Sequence, residues 1–177
     1  MSEAGSVTVR WTASDAEFQA AAAVLIRLML LDPAYISHSE IQWGLSPDGQ
    51  RWADEAPERL QGYLAWIGAV EDARVAVATD DSGRPVAVCI VIWEADKPGR
   101  FATVQDMAVD PAFRKQGVGA QLLAFVEAEA TIQGCRWLLL ESGVRNEGAH
   151  RFFEREGFAP VSHTFAKPIG AAAETPR

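Results

Sequence analysis

The stretch of this chain whose residue types could do chemistry is Arg114-Lys-Gln-Gly-Val-Gly119. It follows a short, apolar, β-rich run that ends at Asp110-Pro111 and precedes a strongly apolar helical run, Gln121-Leu-Leu-Ala-Phe-Val-Glu. Proline donates no ladder hydrogen bond, so the chain turns at Pro111. A strand, a basic glycine-containing turn and a helix start, in that order, can hold an anion. The first N–H groups of a helix have no partners within it, and its macrodipole favours negative charge beside them. Gly117 and Gly119 let a phosphate approach the backbone with no Cβ in the way, while Arg114 and Lys115 add charged donors.

Three phosphate-binding patterns compete for this turn, beside the plainer reading of a helix that merely starts at a glycine turn. A dinucleotide fingerprint needs G-x-G-x-x-G, but Gly117-Val-Gly119 is followed by Ala-Gln-Leu and the third glycine is missing. A Walker A loop needs G-K-[ST], which is absent. The third pattern, R-x-x-G-x-G, is met by Arg114, Gly117 and Gly119.

The elements that must position this turn are legible on either side. Val7–Thr12 alternates as a short strand. Ser14-Asp-Ala-Glu17 has the form of a capping box, and the apolar run from Phe18 to Leu31 predicts a mostly buried helix that Asp32-Pro33 ends. From Ala34 to Pro57 the pattern is weak, with a short helix expected around Ser39–Trp43. This stretch is either a binding loop or a surface excursion with Trp43 and Trp52 tucked into the core. Glu58 to Val70 reads as a helix with Leu60, Tyr63, Leu64 and Ile67 as its apolar stripe. Arg74–Thr79 and Val86–Trp93 form a hairpin across Asp80-Asp-Ser-Gly-Arg-Pro, and the second of these is apolar enough to lie mid-sheet. After the motif helix, Gln133-Gly134 stops the chain and Arg136–Glu141 reads as another buried strand. Asn146 caps a last helix that Gly157 ends, and Val161–Lys167 is expected as a closing strand.

Composition bounds the function. At 177 residues and 49% hydrophobic, the chain can bury the core of one domain, expected at 7–169 between disordered segments 1–6 and 170–177. A net charge of −8 disfavours nucleic acid and weakly favours cationic amines. Cys89 and Cys135 lack metal spacing and read as buried free thiols, and no metal site is expected. The run Ala20–Leu31 is interrupted by Arg27 and too short for a membrane span, which leaves a cytoplasmic protein as the default.

A second motif gives the turn its context. Asn-x-x-Ala-x-x-Phe-Phe-x-x-x-Gly-Phe is realised by Asn146, Ala149, Phe152, Phe153, Gly157 and Phe158. Together with Arg114, Gly117 and Gly119, in this order and separated by a strand, it resembles the GNAT N-acetyltransferase family. Ala149-His-Arg-Phe with Ser162-His-Thr-Phe is similar to members that acetylate small amines. The resemblance spans roughly Val7 to Ile169, by motif in the second half and by element order in the first. It implies an α/β fold, the GNAT-like acyl-CoA acyltransferase fold: a mixed sheet of six or seven strands, helices on both faces and a splayed central strand pair. It further implies acetyl-CoA as cosubstrate, its pantetheine on Met107, Ala108 and Val109. The pyrophosphate would rest on Arg114, Lys115, Gln116, Gly117, Val118, Gly119 and Ala120, with Asn146 and Phe153 approaching CoA further on. The partners implied are a small, cationic amine and acetyl-CoA, with no membrane, and with a homodimer among the assemblies allowed.

Acetyl transfer by direct attack needs a neutral amine, so a base should take a proton. By resemblance, a base on the first splayed strand would match Thr103 or Gln105, and neither ionises usefully. Asp106 is the nearest carboxylate, but strict alternation sends it to the other face unless a bulge re-aims it. Glu141 is the second candidate, and for both a structural carboxylate is the competing reading. The family's acid, a tyrosine, aligns with Phe153, which has no proton to give. The readings that stay open are a small-amine N-acetyltransferase, a protein or peptide N-acetyltransferase, and a catalytically weak acyl-CoA-binding regulatory module.

Overall fold

The structure, a computed structural model, describes residues 7–169. The segments 1–6 and 170–177, expected to be disordered, lie outside the described residues. The chain divides into two compact units: residues up to Met29 with Leu64–Glu141, and Leu30–Tyr63 with the chain from Ser142 onward.

The first unit is built on a five-stranded mixed sheet. Strands β1 (Thr8–Trp11), β2 (Ala73–Thr79), β3 (Pro85–Glu94), β4 (Phe101–Val109) and β5 (Trp137–Leu140) lie side by side in chain order. The first three pairings are antiparallel and β4–β5 is parallel. The parallel pair needs a crossover, which is helix α4 (Val118–Ile132). Its Val118, Leu122 and Val126 pack on Ala76, Ala78, Ala87, Cys89, Val91, Ala102 and Val104. Helix α1 (Asp15–Met29) lies over β2, β3 and β4 and buries Leu25, Leu28 and Met29. Val88 and Ile90, the β3 residues of opposite parity, are buried as well, so β3 is covered on both faces as its apolar run requires. Each fully buried Leu, Ile or Val contributes about 1.5–3 kcal/mol, so the middle of β3 is the most costly place to disturb.

Four expectations are corrected here. Five strands stand where six or seven were expected, because Val161–Lys167 forms no strand and its Val161 and Phe165 are exposed. Pro160 and Pro168 bracket it without N–H donors, and His163 and Lys167 alternate with Val161 and Phe165 on one side, leaving no continuous apolar face to bury. For the same reason the β4–β5 pair lies at the edge of the described sheet rather than at its centre. The Arg136–Glu141 run is correspondingly not a buried strand: Trp137 is 64% exposed, since nothing pairs with the outer side of β5 among the described residues. Finally, α1 is buried along one stripe only. Ala16, Ala20, Ala23 and Arg27 face outward, and alanine loses little by staying in water.

The second unit holds α2 (His38–Gln42), the first turns of α3 (Ala56–Ala69) and α5 (Glu147–Arg155). Ile36, Leu45, Ala56, Leu60 and Tyr63 are its buried apolar side chains among the described residues. The weakly patterned stretch Ala34–Pro57 is ordered by local polar bonds. The Ser37 N–H donates to the Glu40 carboxylate at 2.6 Å, which closes a capping box on α2. Trp43 stacks edge-on against Tyr63 at 5.1 Å yet stays 40% exposed, so it does not plug the core.

Candidate functional site

The site begins where β4 and β5 part. Their pairing runs from Phe101–Trp137 to Val104–Leu140 and stops, while β4 continues to Val109. The pairing of β4 with β3 shifts register at the same point: Val91 pairs with Val104 and Ile90 with Asp106, so Gln105 is an extra residue, a β-bulge. The consequence is visible in packing. Ala102 and Val104 belong to the core under α4, and past the bulge it is Met107 and Val109 that join them. Parity has switched by one. Asp106 therefore shares the face of Thr103 and Ala108, away from α4, and is buried, while Gln105 is exposed. Strict alternation would have sent Asp106 the other way. Glu141 directly follows Leu140, the last paired residue of β5, and is exposed where the two strands separate.

Beyond Val109 the chain enters the basic turn. The Asp110 N–H donates to the Val86 carbonyl at 2.8 Å, and its carboxylate accepts from Arg27 at 2.9 Å and from the Ala112 N–H at 3.0 Å. The Arg27 guanidinium, then that N–H, hold the Asp110 carboxyl below the usual carboxylate range. Pro111–Phe113 makes one tight turn, and the Gln116 side chain braces it by donating to the Ala112 carbonyl at 2.7 Å. Arg114 donates through Nε to the Val109 carbonyl at 3.0 Å and through its backbone N–H to the Pro111 carbonyl at 3.3 Å. Lys115 sits at φ 61° and Gly117 at φ 81°. A lysine in the left-handed region is uncommon and costs about 1 kcal/mol or more, so the turn is held for a reason other than its own comfort. Gly117 is the N-cap of α4, and no side chain accepts from the first N–H groups of the helix. Val118, Gly119 and Ala120 thus open a helix whose N-terminus the described residues leave uncapped, beside a lysine and an arginine. A donor set and charge of this kind can hold an anion.

Met107, Ala108 and Val109 at the end of β4, the turn Arg114–Gly117 and the first residues of α4 are thus brought together in one unit, with Asp106 and Glu141. Asn146 and Phe153 fall in the other. The Asn146 side chain caps α5 by accepting from the Ala149 N–H at 3.2 Å, and Phe153 stacks between Phe152 (5.2 Å) and Phe158 (5.7 Å). Arg27 is the part of the turn that sequence reasoning missed. It lies 83 residues before Asp110, and an arginine on an exposed helix face carries no signal of its partner.

Burial, with the Asp106 charge adding to it, pushes the Cys89 thiol far above its ordinary range, and burial also raises Cys135. Among the described residues no His, Cys, Asp and Glu side chains gather as a metal site, and no helix is long and apolar enough to cross a membrane.

Residues 71–160 match the model of the acetyltransferase (GNAT) domain. The chain is 36% identical over 66 residues to an aminoalkylphosphonate N-acetyltransferase of Salmonella typhimurium, a match covering 37% of this chain and 43% of that protein. It is 35% identical over 99 residues to an uncharacterized N-acetyltransferase of Methanocaldococcus jannaschii, covering 54% of this chain and 43% of the relative. The chain thus spans under half the length of these two proteins. Among solved structures, the aminoglycoside N-acetyltransferase AAC(6')-Iy in complex with CoA superposes with a TM-score of 0.67 at 15% identity, covering 96% of this chain and 98% of that one. A transcriptional regulator from Bacillus halodurans superposes at 0.64 with 18% identity, covering 93% and 100%. At such identities the likeness is one of fold.

Proposed function

We propose an acetyl transfer reaction for this chain, which belongs to the GNAT acetyltransferase family. In this reading it uses acetyl-CoA to acetylate the amine of a small, cationic acceptor by direct attack. The observation that carries it is the uncapped N-terminus of α4 behind the Arg114–Gly117 turn, set beside strands that part after Val104.

The residues present suit acetyl-CoA. Its pyrophosphate would be held by the first N–H groups of α4 with Arg114 and Lys115, and its linear amide arm by the end of β4 from Met107 to Val109. Asn146 and Phe153 are assigned to the same ligand through their motif alone. The cosubstrate supplies an activated acetyl thioester. The chain orients its carbonyl through backbone N–H near the parting strands and removes the proton the attacking amine must lose. Asp106 is the favoured base, since the bulge at Gln105 gives it the face of Thr103, and Glu141 is the second. Direct attack is supported by the cysteines, whose raised thiols would make poor acyl carriers. As the new C–N bond forms and the C–S bond breaks, the CoA thiolate leaves. Phe153 cannot protonate it, but a thiol of pKa about 8.5 leaves tolerably without an acid.

One observation favours a second reading. A phenylalanine where the family places a tyrosine suits a catalytically weak acyl-CoA-binding module. The deciding experiment is CoA-thiol release from acetyl-CoA across a panel of amines. Aminoalkylphosphonates and aminoglycosides should lead it, because similar proteins carry those names. Acetylation of at least one small amine is expected. Acetyl-CoA binding without turnover on any amine would establish the module instead.

A further inference from the structure

The segment between β5 and α5 grips the stretch Ala34–Pro57 through two residues that belong to neither sequence motif. A single nitrogen of the Arg145 guanidinium, Nη2, donates to three carbonyls: Pro33 at 3.1 Å, Gly49 at 3.2 Å and Gln50 at 2.8 Å. Pro33 lies just before the stretch and Gly49–Gln50 near its far end, so one side chain closes the loop between them. The far end is prepared for it. Ser46 accepts from the Gly49 N–H at 3.0 Å and donates to the Arg51 carbonyl at 2.7 Å, while Asp48 accepts from the Gln50 and Arg51 N–H groups at 2.8 and 3.1 Å. These bonds fix a turn from which two successive carbonyls are offered. Two positions before Arg145 stands Gly143, which is buried. A Cβ there would come within 2.6 Å of the Ala34 carbonyl oxygen and closer still to that of Ile36. Both are backbone atoms, which cannot swing aside as a side chain would, so glycine is required for space. The Asn146 N–H then donates to the Gly143 carbonyl at 2.8 Å, which locks the gripping segment in turn.

We propose that Gly143 and Arg145 are positioning residues that clasp the acceptor loop, ordering it before an amine arrives. The assignment rests on the acetyltransferase proposed above and takes Ala34–Pro57, one of whose two readings is a binding loop, as its acceptor side. The physics is that of preorganisation. A loop of this length costs ordering entropy each time it must settle around a small ligand, and a clasp formed on folding removes that cost from binding. The charge-assisted bonds to neutral carbonyls hold without needing a carboxylate partner. Lysine also carries its donors on one nitrogen but on a flexible, strongly hydrated stem, so it should hold the three carbonyls less firmly.

The test uses the full chain and needs no ligand for its first half. Hydrogen exchange should show the backbone amides of residues 34–50 opening about tenfold faster or more in Arg145→Ala and in Gly143→Ala, with the amides of β3 unchanged. With an amine found in the thiol-release screen, both variants should raise KM for that amine about tenfold, leave KM for acetyl-CoA within about twofold, and be only partly rescued by Arg145→Lys. Unchanged exchange in both alanine variants would overturn the clasp. An equal rise in KM for acetyl-CoA would overturn its role on the acceptor side. Faster loop exchange in a chain whose native form acetylates nothing would uphold the clasp and sink the acetyltransferase reading.

Discussion

Replacing Gly117 by aspartate separates the anion site from the stability of the helix it opens. The glycine sits at φ 81° and is the N-cap of α4. A Cβ there meets only the Gln121 amide nitrogen, at 3.8 Å, so the cost of a side chain is conformational and not steric. Entering the left-handed region costs an ordinary residue about 1 kcal/mol, and aspartate tolerates that region better than most. Its charge at a helix N-terminus returns about 0.3–1 kcal/mol. Gly117→Asp should therefore fold with a melting temperature within about 4 °C of the native chain. Binding should fare quite differently. The new carboxylate lies beside the N–H groups that the pyrophosphate needs, and adds like-charge repulsion. Losing two charge-assisted hydrogen bonds at about 1.5 kcal/mol or more each predicts a loss of about 3 kcal/mol, or more than a hundredfold in Kd for acetyl-CoA. Calorimetry on the folded variant measures it. A Kd within about threefold of the native value would show that α4 does not bind the pyrophosphate, and the anion-site reasoning would fall.

Asp106→Asn should lower kcat about a hundredfold or more at neutral pH, with the deficit shrinking as pH rises and free amine becomes common; Glu141→Gln serves as the comparison. If both amides keep native rates, neither residue is the base. Phe153→Tyr should leave stability nearly unchanged and alter kcat by about tenfold or less, because the thiolate is a fair leaving group unaided; a gain of about a thousandfold would show the missing acid to be essential. Asp110→Asn should destabilise the chain, and the sign of its pH dependence follows from the depressed carboxyl. That contribution is present above the unfolded pKa of about 3.9 and is lost as pH falls through the lower folded value, so the two melting temperatures should converge in acid. A gap that persists unchanged down to about pH 2 would mean the ion pair with Arg27 is not its source.

Much of the local geometry of the basic turn was legible because its physics is local. A glycine at a helix start, a basic pair before it and a proline after a strand each act within a few residues, and α4 begins at Val118, where the motif requires. The stripe Leu60, Tyr63, Leu64 and Ile67 of α3 is buried in full for the same reason, since helical periodicity is a local property. What escaped was set by pairing. Val161–Lys167 has enough β-formers to be read as a strand, but a strand needs a partner edge as well as propensity, and that information is not in the segment. The Arg145 clasp was invisible because its acceptors are backbone carbonyls, which every residue carries alike.

The bulge at Gln105 shows how a single unpaired residue can shape both halves of the chemistry. Without it, Thr103 and Asp106 would stand on opposite faces of β4, and the one buried carboxylate on that strand would point under α4 into a cluster of Ala, Val and Leu side chains. A carboxylate there would have no water and few donors, and would cost far more than it returned. The extra residue turns it to the other face, and it does so at the step where the ladder to β5 ends. A bulge bends its strand and increases its local twist, and the ladder to β5 ends at the same step. β5 has four residues and ends at Leu140, too short to follow. The parity switch that re-aims Asp106 and the end of the ladder to β5 thus fall at the same inserted residue. A strand of strict alternation would have left Asp106 under α4.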